Sequence, residues 1–146
     1  MTVQAQLSDL LDERQALRCV VDFYACLDRG DGVGGAACFA LDGVWERDSG
    51  PVGGRAAIAQ ALAGRPPGRR TAHTALNFQF LPRNNGQATL SFTLVAYEAT
   101  VEDAAAVPVG RLAGIRHCCD TLVRVDGAWL IQHKTSTPWM RHQGSR

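Results

Sequence analysis

The stretch "RRTAHTALNFQF", Arg69 to Phe80, marks where the chain turns from helical to stranded patterning. From Thr71 the residues alternate with the period of two that a β-strand imposes. Thr71, His73, Ala75, Asn77 and Gln79 fall on one face; Ala72, Leu76, Phe78 and Phe80 fall on the other. His73 stands at the centre of the first row. On the strand alone it reads as a surface or hydrogen-bonded histidine.

Downstream the period of two persists. "QATLSFTLVAYEAT" (residues 87–100) is rich in β-branched and aromatic residues, and "RLAGIRHCCDTLVRV" (111–125) runs into Asp126-Gly127, a hairpin signal. "AWLIQHKTST" (128–137) is its partner strand, and "VEDAAAVPVG" (101–110) is a long hairpin loop. Upstream the period is helical. In "SDLLDERQALRCVVDFYACLDRGD" (8–31), Leu10, Ala16, Leu17, Val20, Val21, Tyr24 and Leu27 form one apolar face, with Ser8 or Asp9 as cap and Gly30 as stop. "GGAACFALDGVW" (34–45) predicts a short helix capped by Asp31 and running into a strand at Val44–Trp45. "GGRAAIAQALAG" (53–64) predicts a third helix between Gly54 and Gly64, ended by Pro66-Pro67. Helices followed by antiparallel strands give an α+β domain, the helices covering one face of a curved sheet.

The chain of 146 residues has the size of one domain, spanning 1–146, with no repeat or linker. A net charge of +1 gives no broad field for nucleic acid or an acidic membrane, and no apolar run approaches the ~20 residues of a membrane span. The N-terminal "MTVQAQLSDLLDERQ" lacks the basic and apolar regions of a secretory signal. Cys19, Cys26, Cys38, Cys118 and Cys119 are odd in number and never spaced CxxC, which predicts reduced thiols packed as small apolar groups, in the cytoplasm. His73, His117, His133 and His142 lack zinc-site spacing, and no dinucleotide, P-loop or GxSxG pattern occurs. No metal and no cofactor are expected.

The ordered set "VVDFYACLDRGD", "ACFALDGVWERD", "GGRAAIAQAL", "RRTAHTALN" and "LVRVDGAWLI" resembles the NTF2-like superfamily, in particular its SnoaL-like branch, over about residues 8 to 140. That branch includes proteins similar to scytalone dehydratase and to the small subunits of ring-hydroxylating dioxygenases. The resemblance implies a cone: a strongly curved antiparallel sheet wrapped around three N-terminal helices, with a pocket in the open end. It also implies metal-free chemistry and a homodimer or homotrimer joined through the outer sheet face. In such a cone the row around His73 suits a pocket wall. Residues 64–70, 101–110 and the C-terminal "PWMRHQGSR" would shape the pocket, "GRPPGRR" being a solvated loop at its mouth.

Asp28 lies four residues after Tyr24, eight after Val20 and eleven after Leu17, on the apolar face of the first helix. The helix dipole disfavours a carboxylate there. Spacing leaves two readings open, an inward carboxylate or a solvated "LDRGD" loop. Dehydratase-like and dehydrochlorinase-like members pair an aspartate at this helix end with a histidine on this strand, and Asp28 and His73 match those positions. A carboxylate on one ring nitrogen fixes the tautomer and frees the other nitrogen as a base.

Tyr24, one turn before Asp28, is a candidate donor to a substrate oxygen, or a core aromatic. Tyr97 stands where the dehydratase pattern has a second histidine, and Phe23 stands where dehydrochlorinase-like members have a lysine, which argues against halide elimination. Asn77 is a candidate for a substrate oxygen or for satisfying backbone. Trp45, Phe92 and Trp139 are candidate apolar walls, and His117 is a candidate inward group. The expected function is a cofactor-independent dehydratase, isomerase or cyclase acting on a small, largely apolar or polyketide-type molecule. The alternatives are a ketosteroid-isomerase-like site using Tyr24, with Asp48 one position from the aligned base at Arg47, and a non-catalytic binding or dioxygenase small-subunit-like module.

Overall fold

In a computed structural model, which describes residues 1–144, the first helix α1 spans Val3–Asp28. It starts earlier than the periodicity predicts. Thr2 rather than Ser8 or Asp9 caps it, its hydroxyl accepting the Ala5 N–H at 3.2 Å. The first turns project beyond the core: Leu7, Leu10 and Leu11 are exposed, whereas Ala16, Val20, Phe23 and Tyr24 are buried. The helix stops at Gly30, whose φ of 75° lies in the left-handed region that glycine tolerates. Asp31 then caps α2 (Gly32–Ala37), accepting the Gly34 N–H at 2.8 Å. Strand β1 (Phe39–Arg47) begins earlier than expected, and a short β2 (Gly50–Gly53), which the pattern did not announce, folds back on it before α3 (Arg55–Ala63).

Four long strands follow: β3 (Arg69–Arg83), β4 (Gln87–Thr100), β5 (Arg111–Val125) and β6 (Ala128–Arg141). Asp126 and Gly127 both have positive φ, 49° and 80°, as the tight turn between β5 and β6 requires. The sheet order is β2-β1-β6-β5-β4-β3, antiparallel except where β1 lies parallel to β6. The helices cover its concave face, as the sequence predicts.

Rows read across that face show where the core ends and a cavity begins. Ala88–Leu122–Ile131 is apolar and fully buried. The next row is Phe80–Leu90–Asp120–Lys134, then Phe92–Cys118–Ser136, then Ala75–Leu94–Arg116–Pro138, and last His73–Ala96–Gly114–Arg141. Ile58 and Leu62 of α3 and Phe23 of α1 close the packed end, where each large apolar side chain contributes roughly 1.5–3 kcal/mol. Towards the other end the rows become polar and the floor residues small, which leaves space.

Candidate active site

Asp28 is the last residue of α1, and β3 runs past it. Its Oδ1 accepts the Thr71 hydroxyl at 2.8 Å and lies 2.6 Å from His73 Nδ1; its Oδ2 accepts the His73 backbone N–H at 2.8 Å. These donors offset the unfavourable helix-end position of the carboxylate. Arg65, just after α3, donates to the Thr71 hydroxyl at 3.0 Å and to the Leu27 carbonyl, tying the three elements together. An ionised carboxylate only accepts, so the neutral His73 ring carries its proton on Nδ1. Its Nε2 keeps a lone pair, and among the described residues no protein group bonds it.

Burial holds the His73 pKa below its ordinary value; the Asp28 hydrogen bond and charge pull it up, while Arg65 and Arg69 add to the lowering. Desolvation outweighs the carboxylate here, so the ring is neutral at pH 7 and able to accept a proton.

His73 opens onto a cavity of about 810 Å³ whose lining includes Phe23, Tyr24, Trp45, Leu94, Arg116 and Lys134. A second hollow of about 710 Å³ lies behind Asp28, between the ends of α1, α2 and α3 and residues 65–70; His73 does not line it. Tyr24 is buried with its ring 5.1 Å from the His73 ring, and burial, with Cys118 and Asp120 nearby, pushes its phenol well up, so it stays a donor. Phe23 presents its ring edge-on to Trp45 at 5.5 Å.

Beside Tyr24 sits a group the sequence reading missed. Lys134 is buried, its Nζ 2.6 Å from Asp120 Oδ2 and 4.6, 4.9 and 5.4 Å from the ring centroids of Tyr24, Phe23 and Phe92. Asp120 is completely buried, and among the described residues no group hydrogen-bonds its Oδ1. Burial pushes its carboxyl up, against the pull of Lys134. Nearer the mouth, Arg116 donates from both terminal nitrogens to Asp48 at 2.9 and 3.1 Å and from Nε to Ser136 Oγ at 2.8 Å.

Of the residues predicted from sequence, His73, Asp28, Tyr24 and Trp45 converge, and Phe92 stands just behind, 6.1 Å from the Tyr24 ring. The others do not reach the cavity. Asn77 occupies a β-bulge with φ of 56° and is exposed. The extra residue shifts the alternation, so Phe78 and Phe80, not Asn77 and Gln79, follow Ala75 on the inner face. Tyr97 is on the outer face and half exposed, and His117 and Trp139 stack on each other at 4.1 Å and point away from the cavity. Of the expected shaping segments, Arg65 and Arg69 line the cavity, as do Pro138, Met140 and Arg141, while residues 101–110 do not. Ser145 and Arg146 lie outside the described residues. Among the described residues no cluster of His, Cys, Asp and Glu gathers to hold a metal, and no helix is long and apolar enough to cross a membrane.

Three solved structures show the same fold at low identity. A candidate scytalone dehydratase from Novosphingobium aromaticivorans matches with a TM-score of 0.78 at 20% identity, over 97% of this chain and 93% of that one. A protein of unknown function from Mycobacterium tuberculosis matches with a TM-score of 0.77 at 23% identity, over 95% and 76%. ActVI-ORFA from Streptomyces coelicolor matches with a TM-score of 0.71 at 20% identity, over 86% and 96%. Comparison with curated protein sequences gives no match. The SnoaL-like domain model spans residues 8–135, from the second turn of α1 through the Lys134 wall, and the chain belongs to that family.

Proposed function

We propose that the protein is a cofactor-independent acid/base enzyme that removes a proton from carbon in a small, polyketide- or aromatic-type molecule. The observation that carries this reading is the Asp28 carboxylate at 2.6 Å from His73 Nδ1, with the ring on the wall of a cavity of about 810 Å³. His73 Nε2 takes a proton next to a carbonyl, and Asp28 stabilises the imidazolium that forms. Negative charge developing on the carbonyl oxygen meets a wall bearing Tyr24 and the Lys134 ammonium. Loss of water, a double-bond shift or ring closure completes the turnover, depending on what leaves or attacks; none of these needs a metal or organic cofactor. The candidate scytalone dehydratase among the structural neighbours supports the choice of chemistry by analogy of fold. The Tyr24-based isomerase alternative is weaker, because Asp48, its nearest base, is an exposed rim residue engaged with Arg116.

The outer face around Thr93, Val95, Tyr97 and the His117–Trp139 stack is the surface we assign to a second or third copy of the chain, to be tested by light scattering. The unpaired state of all five cysteines suits a cytoplasmic location. The decisive experiment screens fused-ring β-hydroxy ketones for water loss in wild type and His73→Ala. A positioned base contributes ~10²–10⁴-fold, so the variant should lose at least that much of the wild-type rate. Equal turnover in the two proteins would sink the reading.

A further inference from the structure

Proton abstraction uses one wall of the cavity, and the wall across from it is built differently. Arg116 on β5 is held by Ser136 Oγ at 2.8 Å, and its terminal nitrogens grip the Asp48 carboxylate in a fork. Asp48 is 77% exposed, and an ion pair in that setting holds weakly. Arg47, over the Trp45 ring at 5.1 Å, and Arg141 also line the mouth, and among the described residues neither has an anionic partner. Deeper in, Lys134 is neutralised by Asp120. At the Arg116 end, the three guanidinium groups of Arg47, Arg116 and Arg141 outnumber the two carboxylates, Asp48 and Glu46, and Glu46 is engaged by His133.

The floor between Arg116 and His73 consists of Leu94, Ala96 and Gly114, two of them among the smallest side chains. The two groups stand on strands separated by β4, or roughly 10 Å of strand spacing. A one- or two-ring molecule fills that gap. A carboxylate already sits on the Arg116 fork in the form of Asp48, which shows the chemistry the fork accepts.

We propose that Arg116, steadied by Ser136, anchors an acidic group of the substrate, which displaces Asp48; the substrate class is an aromatic or polyketide-type acid rather than a neutral molecule. The anchor rests on its own geometry, and only the placement of the reacting carbon against His73 rests on the acid/base reading.

The test titrates the full-length protein with a naphthoic acid and with its methyl ester, by calorimetry at fixed salt. The acid should bind about ten- to a hundredfold more tightly, the range of a charged hydrogen-bonded pair. Arg116→Gln should bring that ratio close to one, while Arg116→Lys, a point charge without the fork, should keep part of it. Asp48→Asn, which removes the competing carboxylate without touching the fork, should tighten the acid severalfold and leave the ester unchanged. His73→Asn should leave the ratio as in wild type, so a failed catalytic reading and a failed anchor give different results. Equal binding of acid and ester, no binding of the acid at millimolar concentration, a ratio that survives Arg116→Gln, or an Asp48→Asn variant with unchanged acid affinity would each overturn the proposal.

Discussion

Replacing Lys134 by methionine tests the most unusual feature of the interior. The lysine side chain is 4% exposed and that of Asp120 0%, with 2.6 Å between their charged atoms. Removing the ammonium leaves a fully buried carboxylate whose Oδ1 has no hydrogen-bond partner among the described residues. Breaking a buried pair in this way costs about 3–5 kcal/mol, a large share of the roughly 5–15 kcal/mol that holds a domain folded. At about 2.1 cal/mol/K per residue, the unfolding entropy of 146 residues is ~0.3 kcal/mol/K, so Tm should fall by about 10–16 °C at pH 7. The loss should depend on pH. Burial already raises the Asp120 pKa, and without Lys134 it rises further. A carboxyl raised in the folded state binds its proton more tightly there than in the unfolded chain, so stability falls as pH climbs from the unfolded value through the folded one. Lys134→Met should therefore approach wild type in acid and fall away from it towards neutrality. The double variant Asp120→Leu/Lys134→Met should recover most of the loss, since an apolar pair of similar volume is often neutral or stabilising. Circular dichroism melts at pH 5 and pH 8 measure all of this. A drop of under three degrees in the single variant, or a double variant whose loss is the sum of two singles, would refute the reasoning.

Three further outcomes follow from the geometry. In Asp28→Asn, the charge that raises the His73 pKa is lost and its hydrogen bond becomes a weaker, neutral one while burial stays, so the ring should titrate lower still by NMR, and the acid limb of any pH–rate profile should move with it; an unchanged titration would show that the two side chains do not touch in solution. Because the native pKa lies below the ordinary ~6.5, stability should be full above 6.5 and decline as pH falls from there towards the native value. Asn77→Val should destabilise by about 1–3 kcal/mol, because a β-branched residue is strained at φ of 56°, whereas Asn77→Gly should be close to neutral; equal melting of the two variants would mean that the bulge relaxes.

The parts of this site that were legible in the sequence are those reached by unbroken periodicity. Asp28 continues the helical face of Val20 and Tyr24, and His73 follows Thr71 on a strand with no irregularity before it, so their meeting could be read from spacing and family resemblance together. The remainder lies beyond bulges. Alternation from Trp129 and Ile131 points His133 inward, but the register slips between Thr121 and Leu122 of β5, leaving Gln132 as the extra residue on β6, and Lys134 takes the inner face. The same arithmetic turned Asn77 outward and Phe78 inward. Asn77 did carry a local signal, since asparagine tolerates positive φ, but Gln132 carried none. Arg116 was hidden for another reason: a strand arginine is normally solvated, and only the curvature of the sheet turns its face into a wall. In the proposed reading, the base and its carboxylate, His73 and Asp28, stand where periodicity is unbroken, whereas Lys134, Arg116 and Ser136, the groups proposed to meet the substrate, stand where small shifts of register decide which side chain looks in. The two proposed roles thus occupy separate strands, β3 with the end of α1 for proton abstraction, β5 and β6 for holding the substrate.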